Sequence, residues 1–305
     1  MSTAVPELGT GIGYREPIHE IATDPELVEW VEVISEHYMG ATGKRESIDS
    51  LLERIPGIPV VPHGIEMSIG SVGDDGRWDA YLEELAAVVE GFDAPWFSDH
   101  LCFTRTSTAE LGTLLPLPRT RESARHVARR ARRAVERVGR PFLLENIAYH
   151  FSWGDELTEA QFVTEIVEAS DCHLLLDLTN LTYNARNHGF DALDFIREIP
   201  YERVVQVHLA GGVEEEGTYF DTHSMPVPEP VWELLGTLLE FHRVPAVMLE
   251  RDQRLDRTEE IATDLRRATD LRRTTDPRRT TDPRRKADPH RTTDPRLATA
   301  PRRKG

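Results

Sequence analysis

PFLLENIAYHFSWGDELTEAQFVTEIVEASDCHLLLDLTN, residues 141–180, reads as a strand, a helix and a second strand. FLLE and LLLD are short apolar runs, and each ends on a carboxylate, Glu145 and Asp177. Between them TEAQFVTEIVEA opens with Thr158 and, three residues on, Gln161, the spacing of a capping box. Strands that are apolar throughout, joined by a connection long enough to cross back, belong to a parallel sheet covered on both faces.

The same unit recurs on either side. GIGY near residue 12, WVEVISEHY at 30–38 and IPVVPHGIEMSIG around 58–70 supply three earlier strands. APWFSDHLCF precedes the quoted stretch, and RVVQVHLAG and PAVMLERD follow it. Helical patterns lie between. RWDAYLEELAAVVEGF puts Trp78, Leu82, Leu85 and Val89 on one face. RESARHVARRARRAVERVG does so with Ala124, Val127, Ala128, Ala131, Val135 and Val138, its arginines forming the solvated outer face. PEPVWELLGTLLEFH carries Val231, Leu234, Leu235 and Leu238. Eight strands alternating with helices predict an α/β fold, a TIM (β/α)8 barrel. A doubly wound open sheet is the alternative, but no GxGxxG follows the first strand.

Residues 262–305 depart from this pattern. ATDLRR, TTDPRR and their variants repeat every six residues, with 14 Arg and Lys against 6 Asp. Recurrent proline and scarce apolar residues predict a disordered basic tail, so the barrel is expected to occupy 1–261. The whole chain carries −17, so the body is more acidic still. An acidic body repels a phosphate backbone and argues against nucleic acid as a partner. No apolar run is long enough to span a bilayer, and no signal region precedes PELGTGIGY, so no membrane partner and a cytoplasmic location are expected. The two cysteines, Cys102 and Cys172, lack CxxC spacing and read as buried apolar residues.

Nearly every predicted strand ends in metal-ligand chemistry. His63 closes VVPHG, Asp99 and His100 lie in WFSDHLCF, and Glu145 and Asp177 end the quoted strands. His208 follows in VVQVHLAG and Glu250 in AVMLERD. Asn187 and His188, and Asp221 and His223 of FDTHS, sit in connecting segments. A lone strand histidine is usually just hydrogen-bonded, and a lone buried carboxylate can pair with arginine. A whole set of buried charges without cations would be costly. In a TIM barrel the C-terminal strand ends build the active site, so these residues converge. Imidazole with carboxylate suits Fe, Mn or Zn, and the surplus over three ligands favours two or three ions bridged by Glu145, Asp177 or Glu250. His126 and His242 read as surface residues and His173, at a strand start, as belonging to the opposite face; His19, His37 and His150 are open.

GIGYR, EVISEHY, PHGIEMSIGS, FSDHLCF, LLENIAY, DLTNLTYNARNHGFD, VVQVHLAGG, DTHSMPVPEPVWELL and MLERD together resemble, in order and over about residues 10–252, the DUF692 (UPF0276-like) family of multinuclear non-haem iron-dependent oxidases. The resemblance implies a TIM barrel holding two or three iron ions in mixed Fe(II)/Fe(III) state, with dioxygen as co-substrate. It places metal ligands at His63, His100, Glu145, Asp177, His188, His208, Asp221, His223 and Glu250, with Asn180 as a further ligand. Asp99 and Asn146 would orient the ligands, and His100, Glu145, Asp177 and Glu250 would carry the chemistry. It implies a ribosomally made precursor peptide as substrate, modified at cysteine, and a small partner protein that presents it. Glu66, Gly212 and Met225 depart from the family pattern and bear on the pocket rather than on the ligands. The alternative is a metal-dependent hydrolase or isomerase of the apurinic endonuclease or xylose isomerase type.

Overall fold

The computed structural model describes residues 5–40, 47–73 and 76–275. Its eight principal strands are β1 (Gly9–Gly13), β2 (Trp30–Ile34), β3 (Val60–Gly64), β4 (Phe97–His100), β5 (Phe142–Glu145), β6 (His173–Asp177), β7 (Val204–Leu209) and β8 (Ala246–Leu249). Each pairs in parallel with the next, and β8 closes on β1 with Gly9 opposite Ala246. The chain is a closed (β/α)8 barrel, and all eight predicted strands are present.

The helices form where apolar spacing and caps coincide. Arg121–Val138 starts on the Thr120 side chain, which accepts from Ser123 N–H, and stops at Gly139, whose φ of 75° suits a residue without Cβ. Its buried face is Ala124, Val127, Ala128, Ala131 and Ala134. Arg133 and Arg137 on its outer side pair with Asp79 and Glu83 of the neighbouring helix Arg77–Gly91. Glu159–Ser170 carries the predicted capping box, with both Thr158 and Gln161 bonds formed.

The tail boundary needs correction. A helix runs from Thr258 to Thr274 and buries Ile261, Ala262, Leu265 and Ala268. The first two repeats are ATDLRR, with leucine where later repeats have proline, so they can turn apolar residues toward the barrel. The remaining repeats, 276–305, lie outside the described residues.

Inside the barrel, Trp30, Val61, Trp96, Leu143, Leu175, Val205, Ala246 and Met248 form a buried apolar floor, separate from the core between strands and helices. Gly11 of β1 makes room for it: a Cβ there would lie 2.4 Å from the Trp30 ring. Inward-facing positions recur every two residues along a strand. Two residues beyond Val61, Leu143, Leu175 and Met248 come His63, Glu145, Asp177 and Glu250. The barrel therefore changes from apolar to ligand-bearing within one step of the pleat.

Candidate metal centre

Strand register sets the level of the site. His100 lies opposite Glu145, and Asp177 opposite His208. Among the described residues three groups of potential ligands result: His63, His100 and Glu145; Glu145, Asp177 and His208; Asp177, His223 and Glu250. Within each, one ligand atom per residue lies within 4.8 Å of the others. Glu145 and Asp177 each belong to two groups, so the triads form a chain across the barrel mouth.

Glu145 is the hub. Its Oε2 is 3.2 Å from His63 Nε2 and 3.3 Å from His100 Nε2, and its Oε1 is 3.3 Å from His208 Nδ1. His208 Nδ1 is also 3.3 Å from Glu250 Oε2, whose other oxygen is 3.3 Å from His223 Nδ1. His223, at φ 49°, sits between Asp221 (Nε2 to Oδ2, 2.6 Å) and Asp252 (Nδ1 to Oδ2, 2.9 Å). A non-glycine residue in the left-handed region stores strain and is characteristic of functional positions.

Supporting groups orient the ligands. His100 Nδ1–H donates to the Gly64 carbonyl at 3.1 Å, and His63 Nδ1 meets Ser98 Oγ at 2.8 Å. Both leave Nε2 facing Glu145. Asp177 Oδ1 accepts from Asn180 N–H at 2.7 Å and so caps the helix Leu178–His188, while its Oδ2 faces the cluster. Asn146 ties the ends of β5 and β6 together, and its carbonyl accepts from Asn180 Nδ2 at 3.2 Å. Asp99 accepts from the backbone N–H groups of His100 and Met67 and from the Tyr81 hydroxyl, so it holds the β4 backbone rather than the His100 ring.

The charge balance calls for cations. Glu145 Oε2, Asp177 Oδ2, Asn180 Oδ1, His208 Nδ1 and Asp221 Oδ1 are buried without a hydrogen-bond partner among the described residues. Orphaned buried acceptors turned to one place are what a ligand set looks like before its ion is counted. Burial, together with Asp221 and Glu145, pushes the Asp177 carboxyl well above its usual range. Glu145 is held at about 2: burial opposes ionisation, but His100, His208 and His63 outweigh it. His223 is raised well above the usual imidazole value, against its burial, by Glu250 and Asp221. Without cations the cluster must take up protons to balance its carboxylates, and metal ions would replace them. Nitrogen and oxygen donors fit iron, manganese or zinc. Among the described residues no cysteine joins a triad, and Cys102 and Cys172 are buried and free.

Nine residues of the sequence-derived ligand set thus gather at the mouth: His63, His100, Glu145, Asp177, Asn180, His208, Asp221, His223 and Glu250. His188 does not join them. It is exposed at the far end of its helix, stacks on Tyr149 at 4.4 Å, and its Nε2–H donates to the Tyr149 carbonyl at 2.9 Å. Ten residues of helix, at about 1.5 Å each, separate it from the Asp177 end. Asn187 exchanges two 2.9 Å hydrogen bonds with the Tyr219 backbone and pins the hairpin 213–220. Half-buried His126 and His242 bond to the carbonyls of Ser71 and Val204, also away from the site. The sequence reading passed over Glu32, Gln206, Ser98 and Asp252. Glu32 and Gln206 are polar side chains in otherwise apolar strands, which was the available signal.

A parallel (β/α)8 barrel with linked His and carboxylate triads at the C-terminal strand ends is the arrangement of a TIM-barrel enzyme with a candidate metal centre. The chain belongs to the family of RiPP precursor modification enzymes MbnB/TglH/ChrH, whose model matches residues 9–273. It is 37% identical over 267 residues to a UPF0276 protein of Caulobacter vibrioides, covering 86% of this chain and 94% of that one. A UPF0276 protein of Anaeromyxobacter is 36% identical over 264 residues, with 85% and 91% covered. Among solved structures, a xylose isomerase domain containing protein from Salmonella typhimurium superposes with a TM-score of 0.59 at 14% identity, covering 89% of this chain and 99% of that one. Endonuclease IV from Thermus thermophilus does so with a TM-score of 0.56 at 18% identity, covering 87% and 98%. At such identities these two likenesses concern the fold alone.

Proposed function

We propose that this protein is a multinuclear non-haem iron-dependent oxidase that uses dioxygen to modify a ribosomally made precursor peptide at cysteine. The observation that carries the reading is the chain of three triads sharing Glu145 and Asp177. A single hydrolytic ion needs about three protein ligands and an open position, whereas shared carboxylates are the device for holding ions side by side. Iron in these positions would supply one-electron steps with dioxygen and an acceptor for the substrate sulfur.

The chain's own residues do the rest. Glu145, Asp177 and Glu250 set the spacing of the positions. The Gly64 carbonyl and Ser98 hydroxyl fix the His100 and His63 rings, so neither must reorient. The buried apolar floor closes the barrel from below and keeps water from entering on that side. Above, Phe151 and Trp153, 42% and 50% exposed on the segment after β5, stand edge to face at 5.1 Å. With Phe103 they offer apolar surface beside the mouth, suited to an extended peptide and the small protein that presents it.

The test is elemental analysis of freshly purified protein, followed by oxygen consumption with a cysteine-bearing precursor and its presenting partner. Iron at two or three ions per chain and peptide-dependent oxygen uptake support the reading. Zinc with phosphodiester cleavage or sugar isomerisation, and no oxygen uptake, would replace it with the hydrolase or isomerase alternative.

A further inference from the structure

A cavity of about 720 Å3 opens beside the barrel mouth, and none of the triad residues lines it. Its walls come from segments that follow strand ends: Glu36 after β2, Glu66 after β3 and Arg105 after β4. It therefore opens at the same end of the barrel as the triads, and its volume is that of a ligand site. The strand Glu110–Leu115 borders it on one side.

That strand has an open edge. It pairs antiparallel with Phe103–Arg105 and, among the described residues, with no other strand. The far edge of Phe103–Arg105 is closed: Thr104 N–H donates to Ser68 Oγ at 2.8 Å, and the Arg105 carbonyl accepts from Ser71 Oγ at 2.6 Å. Three consecutive residues of the outer strand, Gly112, Thr113 and Leu114, line the cavity. Successive side chains of a strand point to opposite faces, so it is the backbone of this strand that borders the cavity. An open edge beside a groove is a template for an extended peptide, which joins it as one more strand.

Charge complementarity says what such a peptide carries. Glu36, Glu66, Glu84 and Glu110 line the cavity against Arg77 and Arg105. Neither guanidinium serves Glu66: Arg77 is 2.7 Å from Glu110 Oε1, and Arg105 donates to the carbonyls of Glu66 and Met67. Glu36 holds the loop, its Oε1 accepting from the Ile65 and Glu66 N–H groups at 2.8 Å and from the Tyr81 hydroxyl at 2.7 Å. The half-buried Glu66 carboxylate makes no hydrogen bond or ion pair among the described residues. Burial, Glu36 and Glu110 push its carboxyl up, with Arg105 opposing them. A cation beside it would relieve that crowding of negative charge.

We propose that this cavity and the strand Glu110–Leu115 form a subsite for an extended peptide bearing a lysine or arginine, which pairs with the open strand edge and sets its cation against Glu66. The proposal rests on the reading that the substrate is a peptide, and it adds which peptides are preferred. Backbone pairing supplies affinity for any extended sequence, and the carboxylate supplies the choice among them.

The test is fluorescence polarisation on the full chain with labelled peptides of about seven residues, the length of a strand. They alternate threonine and valine around a central lysine, or around norleucine in its place. A third probe is the lysine peptide N-methylated at alternate amides, made in both phases. Wild type should bind the lysine peptide about tenfold more tightly than the norleucine peptide, as for a hydrogen bond to a charged group. Glu66→Gln should bind the two alike, and at least one N-methylated phase should bind wild type more weakly. A wild type that binds no probe, or shows no preference for lysine, overturns the proposal, and so does a preference that survives Glu66→Gln. Full binding of both N-methylated phases overturns the pairing with the strand. None of these readouts uses iron or dioxygen. Lysine-dependent binding without peptide-dependent oxygen uptake would sink the oxidase reading and leave the subsite standing, and oxygen uptake on a precursor while the probes fail to bind would sink the subsite alone.

Discussion

Asn146 and Asp177 exchange two hydrogen bonds: Asn146 Nδ2–H donates to the Asp177 carbonyl, and Asp177 N–H donates to Asn146 Oδ1, both at 2.9 Å. This pair joins the ends of two adjacent strands just where each delivers a shared carboxylate. Asn146→Ala leaves a buried backbone N–H and C=O without partners, at a cost of about 1–3 kcal/mol. It should also reduce metal content, since the backbone that carries Asp177 loses both of its ties to the Asn146 side chain. Chemical denaturation of the metal-free protein and ion counting after reconstitution read the two effects separately.

Glu145 faces three histidines, and its loss should be felt at more than one position. Glu145→Ala is expected to lower bound metal by more than one ion per chain and to abolish turnover. His63→Ala, which touches one triad, should release one ion. Equal stoichiometry in the two variants would contradict the shared role of Glu145.

His188 and His208 both resemble ligands in the sequence, and the structure separates them. His208→Ala should empty the middle position. His188→Ala should leave metal content unchanged and cost no more than about 1 kcal/mol, as for an exposed side chain with one backbone bond. Elemental analysis of the two proteins side by side decides it.

Burial lifts the Glu159 carboxyl from 4.5 to about 7, against the pull of Arg119 and the Tyr149 hydroxyl. The folded state therefore holds this proton more tightly than the unfolded chain. The stability it contributes is complete below about 4.5 and is lost as pH rises to about 7. Glu159→Gln should remove that loss, gaining on wild type between pH 5 and pH 8 by on the order of 2 kcal/mol. Denaturant midpoints at the two pH values measure it.

The helix Thr258–Thr274 belongs to the barrel, so Leu265→Ala should destabilise it by about 2–5 kcal/mol. The same helix carries Asp264, which accepts from Arg251 at 3.4 Å and from Val227 N–H at 3.2 Å. Removing residues 262–305 should therefore lower the melting temperature and disturb Glu250, the neighbour of Arg251. A truncated protein as stable as the full chain would restore the reading of that whole segment as dispensable.

What the sequence made legible follows from periodicity. A strand that is apolar until its last residue announces both its place in a parallel sheet and its ligand, as FLLE and LLLD do at Glu145 and Asp177. His188 was not separable because a helix carries its residues away from the strand end at a rate that residue type does not reveal. Glu32 and Gln206 were passed over because they face inward from mid-strand, below the level where ligand chemistry was sought. The ATDLRR repeats were misread because period six masks the Ile261, Leu265 and Ala268 stripe, and only the absence of proline distinguishes them from the repeats beyond.

The three triads follow the order of translation: 63, 100 and 145, then 145, 177 and 208, then 177, 223 and 250. A growing polypeptide completes its first ligand trio with more than a hundred codons still unread, and its last only at the eighth stave. The ligand trios thus enter the polypeptide in a fixed order, the one with the His63 and His100 imidazoles first, and the barrel that brings all three together closes only once its eighth strand has been made.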